Sequence, residues 1–150
     1  MGPVITAATG FLIAVLWFDL MFDIQVWRHR RSPQVPDSVL ESIAAYYRRV
    51  TTTASPMGRL VGLIMLVLLG ELVVQAISGD EALWVSVVSI PAALIGIGLA
   101  AARIFGWARR LGARKDPPAV QGELARGIFQ ARVVCLTAMA TLLAVQLAGA

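Results

Sequence analysis

Residues 4–26 read VITAATGFLIAVLWFDLMFDIQV. A near-continuous apolar run of this length matches the ~20 residues a helix needs to cross a ~30 Å hydrocarbon core. A soluble helix would instead show a polar stripe every third or fourth residue. Three further runs of the same kind follow, Leu60 to Ile77, Ala82 to Trp107 and Ile128 to Leu147. The composition agrees: of 150 residues, 58% are hydrophobic and 15% charged, against roughly 45–50% and 25% in soluble domains. Mean hydropathy is +0.76. The expected fold is all-α, a four-helix integral membrane bundle forming one domain. Its spans fall at about 4–27, 57–78, 82–107 and 127–148, with loops at about 28–56 and 108–126.

The charges orient the bundle. Net charge is +4 from 13 basic and 9 acidic residues. Arg28, Arg30, Arg31, Arg48, Arg49 and Arg59 lie in or beside the first long loop. Arg103, Arg109, Arg110, Arg114, Lys115, Arg126 and Arg132 lie around the second. The connection Ser78-Gly79-Asp80-Glu81, a tight turn, has no basic residue. The positive-inside rule then puts both long loops in the cytoplasm and both termini outside, in a bacterial-type inner membrane. The basic loops are positioned to attract anionic lipid headgroups. Because the charge follows topology rather than one basic face, nucleic acid is not an expected partner.

The first run lacks the basic leader of a secretory signal and has its basic cluster after the apolar stretch, so it is expected to be retained. Trp27 beside Arg28 and Arg30, and Trp107 before Arg109, read as interfacial anchors. Beyond Pro33 and Pro36, Ser38 and Glu41 make an S-x-x-E capping box. Val39, Leu40, Ile43, Tyr46, Tyr47 and Val50 then recur at helical spacing. This reads as a short amphipathic helix at the membrane surface, with Tyr46 and Tyr47 in the interface; the alternative is packing on the bundle ends. Asp116-Pro117-Pro118 can start a helix, with the aspartate as cap, that continues into span four. In span three, Pro91 can kink the helix. Ala92, Gly96 and Ala100, and again Gly98 and Ala102, form small-residue rows that allow close helix packing.

Ionisable groups inside spans are candidate functional residues because their insertion is costly. Asp19 and Asp23 share one face of span one, roughly 13 and 7 Å along the helix from Arg28. Glu71 and Gln75 form a second i, i+4 pair on span two. Arg103 and Arg132 lie near the inner boundary. Helical side chains lean toward their own N-terminus, so Arg103 points toward the bilayer centre and Arg132 away from it. Arg103 is therefore the expected partner of the aspartates. The contact reads either as an ion pair fixing helix register or as part of a path through Asp19, Asp23 and Glu71. No metal or cofactor site is expected: His29 is the only histidine and Cys135 the only cysteine.

The feature order resembles small bacterial four-helix membrane proteins that include the anthrone-oxygenase-like group. It rests on Ala45-Tyr46-Tyr47-Arg48-Arg49 leading into span two and on Arg109-Arg110-Leu111-Gly112-Ala113-Arg114-Lys115-Asp116 before span four. The resemblance implies the four-span architecture. Such families carry a histidine or other polar residue near the start of span four, where this chain reads Gln130-Ala131-Arg132. Without catalytic constellations, the sequence favours a non-catalytic protein, packed as a homo-oligomer or as an accessory subunit of a larger membrane complex. The alternatives are a proton or cation channel using Asp19, Asp23 and Glu71, and, on the resemblance alone, a membrane enzyme acting on a lipophilic substrate.

Overall fold

The computed structural model describes residues 2–53, 55–79 and 81–149; Asp80 of the expected tight turn lies outside them. All regular structure among these residues is helical. Helix α1 is Gly2–Arg28 and α2 is Asp37–Arg48. A π-helical turn, Arg49–Thr53, precedes α3, Ser55–Ser78. Helix α4, Leu83–Leu99, runs through a second π-helical turn, Ala100–Ile104, into α5, Phe105–Ala113. Helix α6 is unbroken from Pro118 to Gly149. Four helices are long and apolar enough to cross a membrane: Gly2–Arg28, Pro56–Ser78, Leu83–Ala113 and Pro118–Gly149. Pro91 lies inside α4 without ending it.

Helix α1 packs on α6 and α3, and α4 packs on the same two, which closes a ring of four. Successive spans are neighbours, as short connections require. The outward side chains are apolar: Trp17, Leu66, Ile77 and Leu83 are more than half exposed. Such a surface would be an aggregation liability in water and is what hydrocarbon solvates. The interior has two apolar layers. One, near the N-terminus of α1, holds Ile5, Leu12, Leu68, Leu72, Ala92 and Leu142. The other, at the basic end, holds Val26, Leu40, Ile43, Leu111, Ile128 and Cys135. Beyond the first layer, Gln75 and Gln146 exchange hydrogen bonds of 3.2 and 3.0 Å, and Gln146 also donates to Ser89 Oγ at 3.1 Å. This buried amide pair ties α3, α4 and α6 together with its polar groups satisfied.

Helix α2 differs from its expected surface role. It packs against α5, with Leu40, Ile43, Ala44 and Tyr47 buried. The Ser38–Glu41 box is not formed. The helix begins two residues earlier, with Pro36 in the cap position, and Pro36 O accepts from the Val39 and Leu40 amides. Asp116 likewise is not the cap of α6; its carboxylate pairs with Arg110 at 2.9 Å, while Pro117 O accepts from the Gln121 amide. A carboxylate with a guanidinium in reach gains more from that charge pair than from a capping bond.

The α2–α5 contact depends on a glycine. A Cβ on Gly112 would stand 3.0 Å from the Arg48 amide nitrogen and 3.3 Å from its Cα. These are backbone atoms that cannot rotate aside, so Gly112→Val forces the helices apart. We expect it to cost about 1–3 kcal/mol. Gly106→Ala, where a Cβ meets nothing within 4 Å, is expected to raise stability by up to about 1 kcal/mol. Equilibrium unfolding in mixed micelles checks both.

The two small-residue rows of span three part company. Ala92, Gly96 and Ala100 are buried, with the Cys135 carbonyl 3.8 Å from a Cβ built on Gly96. Gly98 and Ala102 face outward. Trp27 lies at the basic end with the Arg30 guanidinium 4.4 Å above its ring. Trp107 lies below Arg103 at 5.8 Å.

Candidate functional site

Asp19 and Asp23 project from one face of α1 toward α2 and α6. Tyr46 Oη donates to Asp19 Oδ1 and Tyr47 Oη donates to Asp23 Oδ1. The other oxygens face Arg132: Nη1 lies against Asp19 Oδ2, and Nε is 3.1 Å from Asp23 Oδ2. Neither nitrogen is aligned for a linear hydrogen bond, so these are charge contacts rather than a parallel fork. The Arg132 guanidinium also lies 5.4 Å from the Tyr47 ring centroid. Asp23 and Tyr47 are each 1% exposed, and Arg132 5%. The cluster therefore links α1, α2 and α6 inside the protein.

The partner differs from the expected one. Arg103 is exposed on the second π turn, over Trp107. In a π turn the i→i+5 bond shifts the helical phase by one residue, about 100° of rotation, and the hydrophobic pattern gives no sign of it. Arg132 stands on the face of α6 that packs on α1, and angular position outweighs the lean of the side chain. Tyr46 and Tyr47 also depart from the interfacial role and point inward onto the aspartates. Burial first, then the charge of Asp23 and the hydrogen bond to it, holds the Tyr47 hydroxyl well above its ordinary pKa. Burial and Asp23 raise Tyr46 in the same way. Both hydroxyls thus stay protonated and act as donors. Two carboxylates against one guanidinium leave one excess negative charge when all are ionised. A proton or a cationic group can balance it, and a neutral donor on a ligand can only solvate it.

Glu71 is partly exposed on α3 and lines neither cavity at the cluster. The structure therefore does not join it to the aspartates. Gln75 bonds to Gln146 instead. Among the described residues, no three His, Cys, Asp or Glu side chains are grouped to hold a metal ion.

Beside the cluster is a cavity of about 310 Å³ between α1, α2, α3 and the segment from the second π turn into α5. On α1 it is lined by Val15, Phe18, Asp19 and Phe22, and on α3 by Met57, Gly58 and Val61. Tyr46, Tyr47, Val50 and Thr51 close it on one side; Ile104, Phe105 and Ala108 face them. Arg132 also reaches it. Phe22 and Tyr46 stack with ring centroids 4.0 Å apart, 10° from parallel. A smaller cavity of about 50 Å³ shares Val15, Asp19, Val61 and Arg132 and continues past Leu12, Met65 and Met139. Asp19, Arg132, Tyr46 and Tyr47 thus form a polar belt partway along an otherwise apolar space. Both π turns border it, through Val50 and Thr51 and through Ile104. π-Helical turns are frequent at functional sites, and a sequence pattern does not reveal them. The adjacent Tyr46-Tyr47 donors, set against acceptors four residues apart on α1, were the available signal for the belt. The cavity itself left none.

Comparison with protein-family models, curated proteins and solved structures finds no match for the chain. The topology-level resemblance to the anthrone-oxygenase-like group therefore rests on the sequence features alone.

Proposed function

We propose that the protein binds a small lipophilic molecule within the bilayer, holding the molecule's polar group on Asp19, Tyr46 and Arg132. One observation carries this reading: a cavity of about 310 Å³ whose lining is apolar except for that belt and Thr51. Its size falls in the ~300–1,000 Å³ range of small-molecule sites, and a few convergent polar groups in an apolar pocket are their usual chemistry. Arg132 supplies donors for a carbonyl or ether oxygen, while the Tyr46 hydroxyl proton is already given to Asp19. Asp19 supplies an acceptor for a hydroxyl. We place the basic end at the cytoplasm and both termini outside an inner membrane, because the basic residues gather at the α2–α5 end.

Native mass spectrometry of protein extracted in mild detergent tests the reading. Wild type is expected to carry a lipophilic species that Gly58→Phe lacks. Gly58 lines the cavity and an added Cβ there meets nothing within 4 Å, so the new side chain starts in open space and its ring is expected to occupy the cavity. Equal retention by both proteins would remove the reading. A second reading, packing against another copy or a larger complex, draws on Gly98 and Ala102, which face outward as a small-residue row. A monomer alone in the same spectra counts against it.

A further inference from the structure

Next to the apolar cavity is a second, polar one. It measures about 420 Å³ and is lined by Arg48, Thr51, Thr52, Arg109, Gly112 and Ala113. Thr51 belongs to both walls. The two spaces are therefore neighbours at the basic end, one cationic and one apolar. Arg48 is pinned there: its Nε donates to Gly112 O at 3.1 Å. Among the described residues, its terminal nitrogens have no protein partner. Arg109 has no ion pair or hydrogen bond among them either. No acidic residue lines this cavity, and the neighbouring cations Arg110 and Arg114 take Asp116 and Asp37 as partners. This polar cavity thus presents two guanidinium groups and the Thr52 hydroxyl, with no carboxylate in its lining; the Thr51 hydroxyl donates to Tyr47 O at 2.8 Å. Two guanidinium groups and a hydroxyl side by side suit the oxygens of a phosphate.

Depth orders the remaining groups. Moving along α1 away from Arg28, the lining runs Phe22, Asp19, Phe18, Val15 and then Leu12, about 15 Å from first to last. The apolar space thus runs from the polar belt to an apolar end, with the cationic cavity adjoining it at Thr51. Resting on the cavity reading above, we propose that the occupant is a single-chain lipid phosphate. Its phosphate sits on Arg48 and Arg109, its polar linker on the Tyr46–Asp19–Arg132 belt, and its chain along Val15 and Val61. A single-chain lipid is chosen because about 310 Å³ lies at the small end of the ~300–1,000 Å³ range of small-molecule sites.

The test uses the full chain in neutral detergent, with oleoyl lysophosphatidic acid, monooleoylglycerol and inorganic phosphate as probes and bound species read by native mass spectrometry. Lysophosphatidic acid is expected to bind at least about tenfold tighter than monooleoylglycerol, the discrimination one good charge-assisted contact supplies. Arg109→Gln, at an exposed side chain without a structural bond, is expected to erase most of that preference. Gly58→Phe is expected to remove binding of both lipids. Inorganic phosphate at equal concentration is expected not to displace the lipid. Equal binding of the two lipids, unchanged by Arg109→Gln but lost in Gly58→Phe, would overturn the headgroup assignment and leave the cavity reading standing. Displacement by inorganic phosphate would also overturn it, by showing a surface anion site. Binding that survives Gly58→Phe would overturn both.

Discussion

Arg132→Met is expected to cost about 3–5 kcal/mol of stability, the largest loss from any single substitution in the chain. Arg132 is the one cation in contact with Asp19 and Asp23 among the described residues. Its removal leaves two carboxylates facing each other across a site that is 1% exposed at Asp23. In hydrocarbon surroundings no water takes over the lost charge contacts. A methionine fills the volume but neutralises nothing. The cost belongs to the orphaned aspartates rather than to the pair as such, because a buried ion pair replaced as a whole by neutral groups is often close to neutral in stability. The triple variant Asp19→Asn, Asp23→Asn, Arg132→Met is therefore expected to recover most of the loss. Unfolding titrations in mixed micelles measure both. A triple variant as unstable as Arg132→Met would show that the arginine acts through packing instead.

Tyr47→Phe is expected to be next, at about 1.5–3 kcal/mol, the range for a hydrogen bond to a charged group. The hydroxyl donates to Asp23 Oδ1 in a site closed to solvent, so the carboxylate oxygen has no substitute donor. The phenyl ring keeps its place against Leu40, Ile43 and Leu111 in the same apolar layer, which confines the change to one bond. Tyr46→Phe is expected to cost less, because Tyr46 is only half-buried and Asp19 retains 14% side-chain exposure. The bond from Tyr47, with that from Tyr46, ties α2 to α1 beside the cavity, so Tyr47→Phe is expected to weaken retention of the bound lipophile along with stability.

The four long helices were legible because each needs only a run of apolar residues, and the chain supplies four. The amphipathic helix was legible too, but not its destination: an apolar face with two tyrosines suits a membrane surface and a bundle end equally. Asp19 and Asp23 stood out because charge in an apolar run has no bland explanation. Their partner did not, because choosing between Arg103 and Arg132 requires the rotation of each helix about its axis. The π turn at Ala100–Ile104 changes that rotation, and the apolar pattern carries no trace of it. The cavity was illegible for a different reason. It is space left where helices meet, set by side chains on α1, α2, α3 and the α4–α5 segment together, and no stretch of sequence encodes it alone.

Photolabelling in nanodiscs with a lipophilic diazirine that carries a carbonyl group addresses the central claim directly. Saturable labelling is expected on the cavity residues Val15, Met57 and Val61, lost in Gly58→Phe and suppressed by excess unlabelled probe. Labelling confined to the outward-facing Leu66, Ile77 and Leu83, rising in proportion to probe and equal in the two proteins, would contradict an internal ligand site.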